Sequence, residues 1–219
     1  MGLKTVVLNS ERMNYDGKLD LSVLSSQVKE YASTEPDQIL ERVQGMDVVV
    51  TKEMPVCGDI IARFPDSVQL ICEAGTGYNN IDIDYTRAHS ITVCNAGDYS
   101  TEAVAQHVFA FILHEYNTVD KYNTFVKNEG WVNAETFSPF FAMRELQGKT
   151  IGVIGYGSIG RKVADVARVF GMKVMAYSRS QEKKDPNFRI LEYASIDDIL
   201  ANSDIVTMHC PLNEDSKYM

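Results

Sequence analysis

Gly155-Tyr156-Gly157-Ser158-Ile159-Gly160 stands between a β-branched run, KTIGVI (149–154), and a helical pattern in which Ile159, Val163, Val166, Ala167 and Phe170 share one face. A strand that breaks at a glycine and restarts as an amphipathic helix is the context in which G-x-G-x-x-G builds a dinucleotide-binding βα unit. The three glycines differ in what they permit. Gly155 makes the tight turn, Gly157 lets a pyrophosphate approach the backbone, and Gly160 lets helix and strand pack closely. The amides of Ser158 and Ile159, at the positive end of the helix dipole, are the expected diphosphate donors. Tyr156, within the turn, is counted with them as cofactor-binding.

The second strand of such a unit ends about 20 residues past the fingerprint, where an Asp or Glu usually takes the ribose 2′-OH of NAD. Here Ser178, Arg179 and Ser180 occupy that place. A carboxylate would repel a 2′-phosphate, whereas Arg179 pairs with one bidentately and the two hydroxyls donate to its oxygens. NADP is therefore favoured over NAD, the alternative being a solvated polar turn without strong preference.

Strand-like and helical segments alternate through the rest of the chain: TVVLN (5–9), a helical stretch opening at Pro36 (36–44), MDVVVT (46–51), VQLICEAG (68–75), ITVCN (91–95) and a long apolar helix (101–116). Strands at 150–155, 173–177 and 204–208 follow, with helices at 158–170 and after Ser195, while 117–149 reads as a loop-rich connection. Such alternation predicts an α/β fold with parallel sheets. Ser100 is the expected N-cap of the long helix. Its rows of Val104, Val108 and Ile112 and of Phe109 and Leu113 predict burial around most of its circumference.

A chain of 219 residues suits one or two domains. A net charge of -9 argues against nucleic acid and anionic membrane surfaces as partners. The absence of a signal-peptide core or a long apolar run predicts a cytoplasmic protein. The four cysteines (Cys57, Cys72, Cys94 and Cys210) form no C-x-x-C pair and read as small buried hydrophobes.

Five stretches, AGTGYNNIDID (74–84), YSTEAVAQHVFAFIL (99–113), ELQGKTIGVIGYGSIG (145–160), FGMKVMAYSRS (170–180) and SDIVTMHCPLNEDS (203–216), together resemble D-isomer-specific 2-hydroxyacid dehydrogenases of the glycerate dehydrogenase or hydroxypyruvate reductase branch. The resemblance implies a flavodoxin-like substrate domain (1–99) and a Rossmann-like cofactor domain (100–219, incomplete at its C-terminal side), with the active site between them. It implies that backbone at Gly75, Thr76 and Gly77 receives the carboxylate of a small 2-hydroxy or 2-keto acid, and that Thr101 and Val104 contact the nicotinamide end. Cys210, Pro211 and Ser216 then lie along the cofactor. Lys52 either lends a positive charge there or is a solvated surface lysine. Asn79 departs from the usual Asp.

The family's catalytic Arg, Glu and His belong to a C-terminal third that the sequence, ending at Met219, does not contain. None of His89, His107, His114 and His209 holds the catalytic position. The expectation is a fragment without catalytic residues and with negligible turnover of its own. Homodimerisation through the 101–116 helix is also implied. A dinucleotide-sensing, corepressor-like protein is the alternative.

Overall fold

The structure is a computed structural model that describes residues 2–134, 141–179, 191–214 and 216–219; Ser180 lies outside them. The chain divides into two compact units, Met1–Tyr99 and Ser100–Met219.

The first unit contains β1 (Lys4–Val7), β2 (Gln27–Glu30), α1 (Ile39–Arg42), β3 (Val48–Thr51), α2 (Gly58–Ile61), β4 (Leu70–Glu73), α3 (Ile83–Ala88) and β5 (Thr92–Asn95). The five strands are parallel in the order β2-β1-β3-β4-β5, the flavodoxin-like order. Every residue of β3 is buried, as expected of a central parallel strand covered on both faces. Side chains alternate between those faces. Val6, Val49 and Ile71 join Ile39 and Ile61 on one side, while Val7, Val48 and Val50 pack with Met13 and Leu21 on the other.

The second unit contains α4 (Thr101–Asn117), α5 (Val119–Lys127), β6 (Thr150–Ile154), α6 (Ser158–Val169), β7 (Lys173–Tyr177), β8 (Leu191–Tyr193), α7 (Ile196–Asn202) and β9 (Ile205–Met208). Its parallel sheet runs β8-β7-β6-β9, which is the 3-2-1-4 beginning of the Rossmann order. Ile151 and Val153 pack under α4 and α6, and Ile154 packs with Met175 and with Ile199 of α7. Ser195 caps α7 by accepting the Asp198 amide at 3.1 Å, and its hydroxyl donates to the Asp198 carboxylate at 2.6 Å. Among the described residues no helix is long and apolar enough to cross a membrane.

Several expectations need correction. The 117–149 connection holds a nine-residue helix, α5, whose polar sequence concealed it. Helix α4 buries one stripe, Ala105, Phe109, Ile112 and Tyr116, and leaves Phe111 65% exposed. Ser100 occupies the N-cap position without a side-chain capping bond, and Glu102 instead pairs with Lys162 of α6 at 2.7 Å. None of the cysteines is fully buried: Cys57 and Cys94 are exposed, and Cys72 and Cys210 are intermediate. β2 and β8 went unread because they are short and lack an apolar run.

A Cβ at Gly160 would collide with the carbonyl oxygen of Gly155 and approach Val153 Cγ1 at 3.1 Å, whereas one at Gly157 would meet nothing within 4 Å. Gly160→Ala should therefore cost about 1–3 kcal/mol through overpacking, and Gly157→Ala no more than about 0.5 kcal/mol. Urea unfolding of the two variants checks this. Equal losses would refute the packing role of Gly160.

Candidate functional site

The carboxyl ends of β6, β7, β8 and β9 surround a cavity of about 400 Å³. Its position follows from topology: β6 lies between β7 and β9, and successive connections leave in opposite directions from the β6–β9 boundary, where open α/β sheets bind ligands. Gly155, with φ +96°, turns the chain out of the sheet, and a Cβ there would lie 2.6 Å from Cys210 N and 2.7 Å from His209 C. Only glycine combines that backbone angle with that approach. Gly157 then begins α6, and the open space beside it leaves its main chain accessible to a ligand.

The lining comprises Gly155, Tyr156, Gly157, Ser158, Arg161, Ser178, Arg179 and Tyr193, with His209, Cys210, Pro211, Asn213 and Ser216 opposite. Two arginines are present, and among the described lining residues there is no Asp or Glu side chain. The Arg161 guanidinium lies 4.8 Å from the centre of the Tyr156 ring, which meets Tyr193 edge-on at 5.8 Å. Tyr156 thus supports the floor with a largely buried ring. His209 contacts Thr207 Oγ1 through Nε2 at 2.8 Å, and burial lowers its pKa. The imidazole is consequently neutral near pH 7. Ser216 secures the turn after β9: its hydroxyl donates to Pro211 O at 2.6 Å and accepts the Asn213 amide at 2.9 Å.

In the first unit, the ends of β3 and β4 form a second polar site. Asn9 holds the Lys52 main chain at both groups, accepting its N–H at 2.9 Å and donating to its carbonyl. The Lys52 side chain is only 16% exposed and reaches Glu53 Oε1 at 2.9 Å. That hydrogen bond is the main reason the Lys52 pKa is raised, against the opposing effect of burial. A Cβ on Gly75 would come within 2.8 Å of Lys52 Nζ, which places the ammonium against this turn. Glu73 is 1% exposed. Its carboxylate accepts the Glu53 amide at 3.0 Å and the Asn80 side-chain amide at 2.8 Å. Thr76 donates its hydroxyl to Gly97 O at 2.9 Å, and Asn95 donates to Thr76 O at 2.7 Å.

The cavity gathers Gly155, Tyr156, Gly157, Ser158, Ser178, Arg179, Cys210, Pro211 and Ser216 from the predicted set. It does not include Thr101 and Val104 at the start of α4, nor Gly160, which serves packing, nor Ile159, whose side chain joins the core. Lys52, Gly75, Thr76 and Gly77 lie together in the first unit, with Lys52 largely buried instead of solvated. Sequence reasoning missed Arg161, Tyr193, Glu73, Asn80 and Asn95. An acid ending a strand next to a glycine turn was the one signal that pointed to Glu73.

The family model for the D-isomer specific 2-hydroxyacid dehydrogenase NAD binding domain matches residues 109–219. Glycerate dehydrogenase of Methylorubrum extorquens is 32% identical over 87% of this chain and 59% of its own length. Hydroxypyruvate reductase of Blautia hydrogenotrophica is 30% identical over 82% of this chain and 55% of its own. The chain thus spans somewhat more than half the length of these relatives. A glyoxylate reductase from Paecilomyes thermophila superposes with a TM-score of 0.79 at 24% identity, covering 99% of this chain and 67% of that one. A D-lactate dehydrogenase from Aquifex aeolicus, complexed with NAD and lactic acid, gives 0.77 at 26% identity, covering 97% and 62%. This chain belongs to the D-isomer-specific 2-hydroxyacid dehydrogenase family.

Proposed function

We propose that the chain carries the dinucleotide-binding and acid-binding apparatus of an NAD(P)-dependent oxidoreductase that reduces hydroxypyruvate or glyoxylate, or oxidises D-glycerate. The observation that carries this reading is the cavity beside Gly155 and Gly157, where main chain, two arginines and the start of α6 face a space without an acidic side chain among the described lining residues. The names of the relatives, glycerate dehydrogenase, hydroxypyruvate reductase and glyoxylate reductase, favour an enzyme over a dinucleotide sensor. On this reading residues 1–99 bind the acid and residues 100–219 bind the cofactor.

The turn at Gly157 and the first amides of α6, those of Ser158 and Ile159, would hold a diphosphate at the positive end of the helix. The nicotinamide, when bound, supplies or accepts the hydride exchanged with C2 of the acid. Arg179 and Ser178 are suited to a 2′-phosphate, and Ser180 follows them in sequence. Thr101 and Val104 are assigned to the nicotinamide end. Their support is the Glu102–Lys162 ion pair, which sets the first turn of α4 beside α6.

Lys52 and the Gly75–Gly77 turn would receive the carboxylate. The Glu53 side chain that now pairs with Lys52 is 65% exposed, and ion pairs with so solvated a partner are worth about 1 kcal/mol or less. An incoming carboxylate therefore exchanges with Glu53 at little cost. None of the described residues is assigned the proton transfer; His209, the one histidine among the described lining residues, already has its Nε2 engaged with Thr207 Oγ1. The exposed Phe111 on α4 supports homodimerisation through that helix, and the four free thiols support a reducing, cytoplasmic setting.

Three measurements test the reading. NADPH should bind more tightly than NADH, and Arg179→Ala should weaken NADPH about tenfold while sparing NADH, the loss expected for a charge-assisted hydrogen bond; tighter binding of NADH would overturn the preference. Lys52→Ala should weaken hydroxypyruvate binding in calorimetric titration, again about tenfold, with NADPH affinity unchanged. Unaltered hydroxypyruvate binding would remove Lys52 from the site. Adding hydroxypyruvate to the 219-residue chain with NADPH should leave the absorbance of the reduced cofactor at its background rate of decay; rapid oxidation would mean that this chain contains a proton donor after all.

A further inference from the structure

Cys72 and Cys94 are register partners on the adjacent parallel strands β4 and β5. Such partners project to the same face from strands about 4.8 Å apart, within the Cα separation of about 4.4–6.8 Å that a disulfide spans. Their sulfurs are 3.2 Å apart, so reaching covalent distance needs an approach of about 1 Å. Cys72 packs against the Val7, Val48 and Val50 layer, whereas Cys94 is exposed. Neither thiol has a part in the carboxylate or cofactor sites described above.

We propose that Cys72 and Cys94 form a redox-sensitive dithiol that a peroxide converts into an intramolecular disulfide. The exposed Cys94 reacts first. Its thiolate attacks the peroxide O–O bond; the new S–O bond makes a sulfenic acid, and the departing oxygen leaves as water after taking up a proton. The Cys72 sulfur then attacks Cys94 Sγ, the S–O bond breaks, and the released hydroxide takes the Cys72 proton to form a second water. The two thiols lose two electrons and two protons, and hydrogen peroxide is reduced to two waters. Burial, together with the neighbouring sulfur, pushes the Cys72 thiol up to about 12. Cys72 therefore stays protonated near neutral pH and leaves the first attack to Cys94; in the second step it gives up its proton to the departing hydroxide as the S–S bond forms. The bridge would lie one residue before Glu73 and Asn95, which respectively hold the Glu53 amide and the Thr76 carbonyl.

Treating the chain with hydrogen peroxide, blocking remaining thiols and digesting with trypsin tests this directly. Cleavage after Arg63, Arg87 and Lys121 separates Cys72 from Cys94, and Cys57 and Cys210 fall on other peptides. The expected product joins the Cys72 and Cys94 peptides at a mass lower by two hydrogens, disappears on reduction, and persists in the Cys57→Ser, Cys210→Ser double variant. The protein itself should remain monomeric on a denaturing non-reducing gel. Recovery of Cys94 as sulfinic acid with Cys72 still open to alkylation, or linkage of Cys94 to any other cysteine, would overturn the proposal. So would loss of the Cys72 thiol at an unchanged rate in Cys94→Ser, because Cys72 is oxidised only through Cys94.

Discussion

The second unit depends on how tightly main chain is packed where β6 ends. The sheet ladder continues on both sides of the strand to its last residue: Gly155 donates to Tyr177 O at 2.9 Å, and Ile154 O accepts the His209 amide at 2.7 Å. A central strand held from both edges has one way to go, out of the sheet plane, and the φ of +96° at Gly155 is how it goes. The helix that begins there lies so close that Gly160 meets the carbonyl of Gly155. The same crowding that excludes side chains from these positions leaves bare backbone at the cavity mouth. Binding surface and packing constraint are thus one feature, which is why the glycine spacing is so informative.

The first unit reaches a comparable result through side chains. Glu53 has a left-handed backbone, φ 54°, which costs a non-glycine residue about 1–2 kcal/mol. Its amide donates to the buried Glu73 carboxylate, and hydrogen bonds to charged groups contribute about 1.5–3 kcal/mol. The second figure is large enough to offset the first, so the unusual turn is held by the carboxylate. With Asn9 holding the main chain of Lys52 at both its N–H and its carbonyl, the Lys52 side chain is directed over Gly75. Glu73 therefore acts on this site mainly through the backbone of its neighbours, while its charge adds a lesser share to the raised Lys52 pKa.

Legibility in the sequence tracked the strength of local patterns. The two parallel sheets could be read because β1, β3 and β6 are buried runs of β-branched residues, and the fingerprint because its glycines have fixed spacing. β2, with the sequence QVKE, carries no such pattern. Its place at a sheet edge is set by pairing with β1, a tertiary fact. The long helix α4 was read as buried around most of its circumference because hydrophobicity says which residues seek cover, while the partners within reach decide which obtain it. Arg161 and Tyr193 come to the cavity from different βα units, and the Cys72–Cys94 pair from different strands. No spacing rule links such residues until the sheet order is known.

The net charge of -9 and a cavity suited to a polyanion are compatible because electrostatic range is short. At physiological ionic strength the Debye length is about 8 Å, so carboxylates scattered over the surface are largely screened from the cavity. Arg161, Arg179 and the first turn of α6 stand at its wall. The local field is set by those groups, and each gains strength where walls exclude water. An acidic protein can in this way repel extended polyanions such as nucleic acid and still accept a compact one. What sorts the two is the distance over which the ligand must face the protein, and a ligand confined to 400 Å³ meets the arginines well before it meets the rest of the surface.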